Sequence, residues 1–167
     1  MSKPKSLKTY LGYIACIGWF VASGYVLYYF TFGNYGEFDP DQQWLTVQPA
    51  LSLSDLDIDN QGGLTLVHVR APFCSCNPLA DAHKDTIGEH IHQHHRSASD
   101  IQHAGFTLPA TPAALIFDED TLIYAGPYAS GAFCSVEDSL IDDLLSAQQQ
   151  LAGTYLNGLV RACRCLT

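Results

Sequence analysis

The longest uncharged stretch of the chain runs from Tyr10 to Phe32, and it constrains the fold more than any other feature. A helix needs about 20 apolar residues to cross a bilayer, so the stretch predicts one membrane-spanning helix over residues 10–32. Three lysines precede it and acidic residues follow it. Because Lys and Arg are enriched on the cytoplasmic side, we expect residues 1–9 to be cytoplasmic and the rest of the chain to lie outside. A cleaved signal peptide is the alternative, although no small-residue cleavage site is evident after Tyr25.

The remainder of the chain is strongly acidic and long enough for one domain. Residues 33–43 are polar and contain Gly and Pro, which indicates a linker. Residues 44–167 then suit a single domain with its own core. All 17 acidic residues follow the apolar stretch, and the net charge is −9. Such a surface disfavours nucleic acid and anionic lipid, so we expect no nucleic-acid partner.

The domain alternates strand and helix patterns. Leu64–Val69 is almost continuously apolar, which is typical of a central strand covered on both faces. Asn77 and Pro78 are residues that open helices, and we expect this helix to continue to about His95. The remaining expected elements are a strand over 44–47, a short helix over 52–56, a hairpin over 113–126 and an amphipathic helix over 140–151.

Two cysteines one residue apart, Cys74 and Cys76, separate the central strand from the following helix. A helix N-terminus carries partial positive charge and free N–H groups, which stabilise a thiolate. Thiolate is the species that attacks disulfides and binds metals. The pair therefore has three interpretations at this point: a working thiol pair, a metal clip or a structural bridge.

The segments "LVHVRAPFC" and "ATPAALIFDEDTLIYAG" together resemble the thioredoxin-like superfamily, over about residues 64–151. The resemblance implies a central mixed sheet flanked by helices, with Cys74 as the attacking thiol, Cys76 as the resolving thiol and Pro112 as a cis-proline facing them. His68 stands where the family has a buried acid, six residues before Cys74. It is either a proton shuttle or a hydrogen-bonded core histidine.

Within the superfamily, the chain is most similar to small membrane-anchored bacterial proteins that carry "GPYASGAFC"-like segments. That resemblance implies a single-pass protein of the bacterial inner membrane, with its C-terminal domain in the periplasm.

The chain departs from the thioredoxin pattern at the cysteines themselves. Only Ser75 separates Cys74 from Cys76, whereas thioredoxins have two intervening residues. A disulfide across so short a loop should be strained, and strained disulfides are more oxidising. Arg70 replaces a family aromatic, and it is either a thiolate-stabilising group or a solvated residue at the strand end.

Three further cysteines lie outside the family pattern: Cys134, Cys163 and Cys165. The terminal "CRC" repeats the spacing of "CSC". Five cysteines outside the membrane cannot all pair within the chain, so one is left over. Cys134 either relays a disulfide to Cys74 or forms a structural bridge to Cys163 or Cys165 that fixes the C-terminal tail. Cys16, inside the apolar stretch, is expected to be a small packing residue.

The histidines offer a metal-binding alternative. On the expected helix, His90 and His94 lie one turn apart on the same face. Together with Cys74 and Cys76 they form a candidate set of soft and borderline ligands, of which paired thiolates suit Cu(I). The spacing matches no specific metal signature, however, so the main expectation is a site without metal or other cofactor.

The sequence thus predicts a membrane-anchored thiol–disulfide oxidoreductase of thioredoxin-like fold. Its substrates would be protein cysteines or disulfides, and a membrane redox partner would renew it. The alternatives are a copper-handling module and a non-catalytic binding domain whose cysteines brace the fold.

Overall fold

The computed structural model describes residues 7–46, 50–88, 91–146, 151 and 153–167. It divides the chain into two compact units, Met1–Gly33 and Asn34–Thr167.

The first unit contains one long helix, α1 (Leu7–Phe32). Its segment Leu7–Phe30 is long and apolar enough to cross a membrane, with a mean hydropathy of 1.5 and no burial inside the protein. Large apolar side chains such as Trp19 and Phe20 are exposed. The expected apolar helix is therefore present, and a membrane anchor and a signal sequence both have these properties.

The second unit is a mixed α/β domain. Its central sheet has five strands in the order β3-β2-β5-β6-β7. Strand β2 is parallel to β3 and antiparallel to β5, whereas β6 is antiparallel to β5 and parallel to β7. The elements, in chain order, are β1 (Tyr35–Glu37), α2 (Gln43–Thr46), a 3₁₀ turn (Ser54–Leu56), β2 (Leu64–Arg70), α3 (Asn77–Lys84), β3 (His92–Ser97), α4 (Ala98–His103), β4 (Ala110–Thr111), β5 (Ala113–Asp118), β6 (Thr121–Gly126), a second 3₁₀ turn (Val136–Asp138), α5 (Asp142–Leu145), β7 (Tyr155–Leu156), β8 (Arg161–Cys163) and β9 (Cys165–Leu166).

Strand β2 separates two apolar clusters. Successive side chains of a strand point to opposite faces. Val67 and Val69 accordingly pack in one cluster with Phe106 and Phe117, and Leu66 packs in the other. The interior residues of β2 are all buried. The expectation of a central strand covered on both faces is confirmed.

The helix expected from Asn77 to about His95 is wrong in its second half. It ends at Lys84, and His92–Ser97 form strand β3 at the edge of the sheet. Burial alternates along the first four residues of β3, as a strand with one covered face requires. Four of its six residues are histidine or arginine. An edge strand tolerates such polar side chains, and they hide the apolar alternation by which a strand is recognised in a sequence.

Residues near both ends of the second unit also differ from expectation. Trp44 lies on helix α2 rather than on a strand, and Val47 falls outside the described residues. The segment expected as a linker contains β1, and Phe38 is fully buried. In the expected C-terminal helix, only Asp142–Leu145 is helical among the described residues.

Candidate functional site

The Cys74-Ser75-Cys76 segment lies where β2 passes into α3, as the sequence predicts. Cys76 is the N-cap residue of α3, and the second helical residue is Pro78. The expected cap, Asn77, instead donates from Nδ2 to the Ala71 carbonyl oxygen at 3.0 Å. Both cysteines are buried, with Cys76 fully so and Cys74 6% exposed.

Both cysteines are bridged to the C-terminal tail. Cys74 is bonded to Cys165, and Cys76 is bonded to Cys163, with Cα–Cα distances of 5.8 and 5.7 Å. The four cysteines pack together as a cluster, called here the sulfur cluster. Cys74 and Cys76 are therefore neither free nor paired with each other, which were the two states considered for them, and the alternative of a bridge from Cys134 to the tail is wrong. In each Cys-x-Cys segment, one residue separates the two cysteines. Both cysteines of one segment can therefore bond to both cysteines of the other, and the repeated "CxC" spacing in the sequence was the signal for this arrangement.

The tail reaches the sulfur cluster as two short strands. Strand β8 pairs antiparallel with β1, placing Cys163 opposite Tyr35. Strand β9 pairs antiparallel with β4, placing Cys165 opposite Thr111 and Leu166 opposite Ala110. The backbone N–H of Thr167 donates to the Pro109 carbonyl oxygen at 3.1 Å.

Pro112 directly follows the strand to which the tail pairs. The Thr111–Pro112 peptide bond is cis, as the sequence resemblance implied. The sulfur of Cys74 lies 3.5 Å from the Thr111 carbonyl oxygen. Because that sulfur is in a disulfide, it has no proton to donate, and the contact is one of packing. The backbone of Thr111, directly before Pro112, thus packs against Cys74.

The residues that precede and separate the two cysteines are exposed. Phe73 has a φ of 61°, which is a genuine outlier for a bulky side chain, and its side chain is fully exposed. Ser75 is also exposed, and its Oγ accepts a hydrogen bond from Asn34 Nδ2 at 2.7 Å. Backbone strain of this kind concentrates at functional sites.

His68 is fully buried on the face of β2 that points towards Tyr128. Its Nδ1 lies 2.6 Å from the Tyr128 hydroxyl, and its Nε2 lies 2.9 Å from Gln93 Oε1. Since an amide oxygen only accepts, Nε2 carries the proton and Nδ1 accepts from the tyrosine. Burial lowers the pKa of His68 from 6.5 to about 4. With both ring nitrogens engaged away from the cysteines, His68 has the contacts of a neutral core histidine.

Cys134 is a buried free thiol. Its sulfur lies 3.6 Å from His83 Nε2, which also lies 2.9 Å from the Cys134 carbonyl oxygen. Burial raises the pKa of the Cys134 thiol to about 11. A buried thiol with a raised pKa stays protonated near neutral pH and is a poor nucleophile. These surroundings disfavour the relay role for Cys134.

Arg70 ends β2 and forms an ion pair with Asp81 on α3. Lys84 approaches the same carboxylate at 4.0 Å. The Arg70 side chain is 30% exposed, so the solvated interpretation holds only in part. Its guanidinium thus contacts the carboxylate of Asp81, and Cys74 and Cys76 are both in disulfides.

The residues that could bind a metal ion in the structure differ from those that the sequence predicts. His94 lies on β3 rather than on a helix, and His90 lies outside the described residues. Among the described residues, the sulfurs of Cys74, Cys76 and Cys165 lie within 4.8 Å of one another. Three thiolates at this spacing suit a soft ion such as Cu(I). In the bridged form these sulfurs are not thiolates, so metal binding would first require reduction of both disulfides.

Residues 42–167 match a family model described as "Domain of unknown function (DUF6436)". The match covers the core of the domain, the sulfur cluster and the whole tail. A search of the curated proteins finds no match to the chain.

Proposed function

The chain belongs to the DUF6436 family, and we propose that it is a membrane-anchored thiol–disulfide oxidoreductase with a thioredoxin-like fold. The sheet order β3-β2-β5-β6, with β2 and β3 parallel and the hairpin antiparallel, supports the fold. The cysteine pair at the start of α3 and the cis bond before Pro112 support it too.

The observation that carries the activity is the position of Cys165. It is held as a β-strand against Thr111, beside Pro112, and its sulfur is bonded to Cys74. This is the arrangement of a mixed disulfide, in which Cys74 has bonded to a cysteine of an extended segment aligned by main-chain pairing. Here that segment is the protein's own tail.

The proposed reaction transfers the Cys74–Cys165 disulfide to a substrate dithiol. One substrate thiolate attacks a sulfur of the bridge and forms a mixed disulfide, and the other bridge sulfur leaves as a thiolate. The second substrate thiol then attacks the mixed disulfide. The substrate gains one disulfide, and Cys74 and Cys165 become thiols, so two electrons and two protons pass to the protein. A disulfide-bearing partner reverses these steps and restores the bridge.

The same bonds support a proposal for the compartment. Disulfides persist in oxidising compartments such as the bacterial periplasm, and α1 is long enough to anchor the chain. We therefore assign the chain to the bacterial inner membrane, with residues 1–9 cytoplasmic and the domain periplasmic. A reporter fused after Thr167 should be active only outside the cytoplasm, whereas activity inside would contradict this topology.

The activity is tested by removing one bridge at a time from the full chain in detergent. The oxidised protein is mixed without oxygen with a reduced, unfolded, cysteine-containing protein, and substrate disulfides are counted by alkylation and mass spectrometry. The pair Cys74→Ser/Cys165→Ser should abolish the transfer. The matched pair Cys76→Ser/Cys163→Ser, which also lacks one bridge, should retain it. Equal transfer by both pairs would contradict the proposed role of Cys74.

A second candidate function is a non-catalytic binding domain that the disulfides only brace. The burial of the sulfur cluster favours it: Cys74, Cys76 and Cys163 are each no more than 9% exposed. The two candidates differ in reducibility, because structural disulfides resist reduction by glutathione. Failure of the wild-type protein to oxidise any substrate would favour the bracing function.

A further inference from the structure

The tail segment Cys163–Thr167 indicates which external chain the site accepts. We propose that the partner is an extended protein segment carrying a Cys-x-Cys dithiol, which replaces the tail and takes over both of its bridges. This assignment rests on the proposed thiol–disulfide exchange at Cys74 and names a stable partner of that site, as distinct from the substrates that the site oxidises.

The spacing of the tail cysteines carries the argument. In an extended chain, residues i and i+2 point to the same side. Cys163 and Cys165 therefore present both sulfurs to one face, where they bond to Cys76 and Cys74 respectively. Arg164, between them, is directed elsewhere: its Nε donates to the Glu37 carbonyl oxygen. The geometry thus specifies two cysteines, and the side chain of the middle residue contacts the domain at Glu37 instead of the sulfur cluster.

Main-chain pairing holds the tail on both sides of Arg164. Cys163 is in register with Tyr35, and Cys165 is in register with Thr111. The backbone N–H of Arg164 donates to the Asn34 carbonyl oxygen at 2.7 Å. Because strand addition recognises backbone rather than side chains, any extended segment can make these bonds. The positions of the cysteines then decide which segments become bridged.

The segment around Cys165 can be displaced because its strand pairing is short and partly exposed. Strand β9 has two residues, and Leu166 is 57% exposed. Segments with few buried apolar contacts open at low free-energy cost. Cys165 is the only half-buried member of the sulfur cluster, and the fully exposed Phe73 lies directly before its partner Cys74. An incoming chain therefore reaches the Cys74–Cys165 bridge first.

The replacement needs no external oxidant or reductant. An incoming thiolate attacks Cys165, and Cys74 leaves as a thiolate. Cys74 then attacks the incoming sulfur, and Cys165 leaves with the proton that the incoming thiol lost. The second incoming thiol repeats these steps at Cys76–Cys163. Two disulfides and two thiols enter, and two disulfides and two thiols remain.

The number of residues between its two cysteines also distinguishes this partner from a dithiol that only reduces the protein. A Cys-x-x-Cys dithiol can close its own disulfide and leave the protein reduced. A disulfide closed within Cys-x-Cys is strained, so such a segment remains bonded to the protein. The expected product is therefore a stable, doubly bridged complex.

The test uses the oxidised full chain and a reduced synthetic peptide of the tail sequence, VRACRCLT. The controls are VRACRRCLT, with one added residue between the cysteines, and the single-cysteine peptides VRACRSLT and VRASRCLT. After an acid quench and alkylation, mass spectrometry measures the adducts. The tail peptide should give at least tenfold more doubly bridged adduct than the inserted peptide, with its second cysteine on Cys74 and its first on Cys76. Cys163 and Cys165 should be alkylated in that adduct.

A variant with one bridge provides the matched control. In Cys76→Ser/Cys163→Ser, only the Cys74 bridge is left, so the tail peptide and VRASRCLT should give equal yields of adduct. Covalent dimers joined from Cys74 to Cys165 of a second copy would support the proposal and identify another tail as a source of the segment. Equal yields from both spacings with the wild-type protein, or scrambled pairing, would overturn it. If thiols open Cys74–Cys165 without preference for spacing, the oxidoreductase function stands and only the Cys-x-Cys partner is wrong. If nothing opens the bridge, both fail.

Discussion

The two disulfides should stabilise the domain redundantly, because they join the same two segments. Cys74–Cys165 spans 91 residues of sequence, and Cys76–Cys163 spans 87. Closing a loop of that length alone stabilises a protein by about 4.5 kcal/mol in the chain-entropy model. Once one bridge exists, the other closes only a ring of about six residues, which is worth about 2 kcal/mol in the same model.

Removing either bridge should therefore cost about 2 kcal/mol, and removing both should cost about 6 to 7 kcal/mol. The variants are Cys74→Ser/Cys165→Ser, Cys76→Ser/Cys163→Ser and the combined fourfold change. A bridge confined to either Cys-x-Cys segment would crosslink only a few residues, so the fourfold variant would then lose much less stability. A stability loss in the fourfold variant that greatly exceeds the sum of the two single-bridge losses is therefore specific to the observed pairing.

Trp44 provides the probe for this measurement. It is 5% exposed, and its indole Nε1 donates to the Thr107 carbonyl oxygen at 2.7 Å. Urea unfolding of the full chain in detergent is followed by Trp44 fluorescence in a Trp19→Phe background. Equal losses of about 4.5 kcal/mol from each single-bridge variant would refute the redundancy.

Two further predictions concern the titratable groups of the domain. The pKa of His68 falls from 6.5 to about 4 on folding because of burial, so His68 contributes stability that is present in full above pH 6.5 and lost as the pH falls towards 4. This is worth about 3 kcal/mol. His68→Gln should flatten the pH dependence of the free energy of unfolding, measured by urea unfolding between these pH values. An unchanged pH dependence in His68→Gln would contradict the neutral core role. The pKa of the Cys134 thiol is raised, so Cys134 should be alkylated slowly in the folded protein. Denaturation without reductant should reveal only Cys16 and Cys134 as free thiols. Rapid alkylation of native Cys134 would contradict its burial, and a third free thiol would contradict the disulfide pairing.

The sequence predicted the centre of the domain well because its signals there are local. The apolar run from Leu64 to Val69 indicated a buried strand, and the hairpin over 113–126 appears as expected. The resemblance carried over the cis bond at Pro112. Each of these depends on residues close together in the chain, where period and turn chemistry are informative.

The disulfide pairing could not be predicted in the same way. It joins residues that are about 90 positions apart, and connectivity does not follow from cysteine spacing alone. Strands β8 and β9 are three and two residues long, too short to show a period. They exist because β1 and β4 provide edges for them, which is a tertiary effect. The histidines of β3 give no strand signal for a related reason, since an edge strand has no apolar run to mark it.

The most direct test of thiol–disulfide exchange at Cys74 is the reduction potential of each bridge, measured separately. The full chain is equilibrated in detergent with glutathione and dithiol buffers of defined potential. Acid quenching, alkylation and peptide mapping then give the reduced fraction of Cys74–Cys165 and of Cys76–Cys163. An exchanging bridge should become half reduced at a potential above about −300 mV, because structural disulfides have reduction potentials below that value. We predict this result for Cys74–Cys165, whereas finding both bridges still oxidised below about −300 mV would contradict the oxidoreductase function and leave the cysteines as braces.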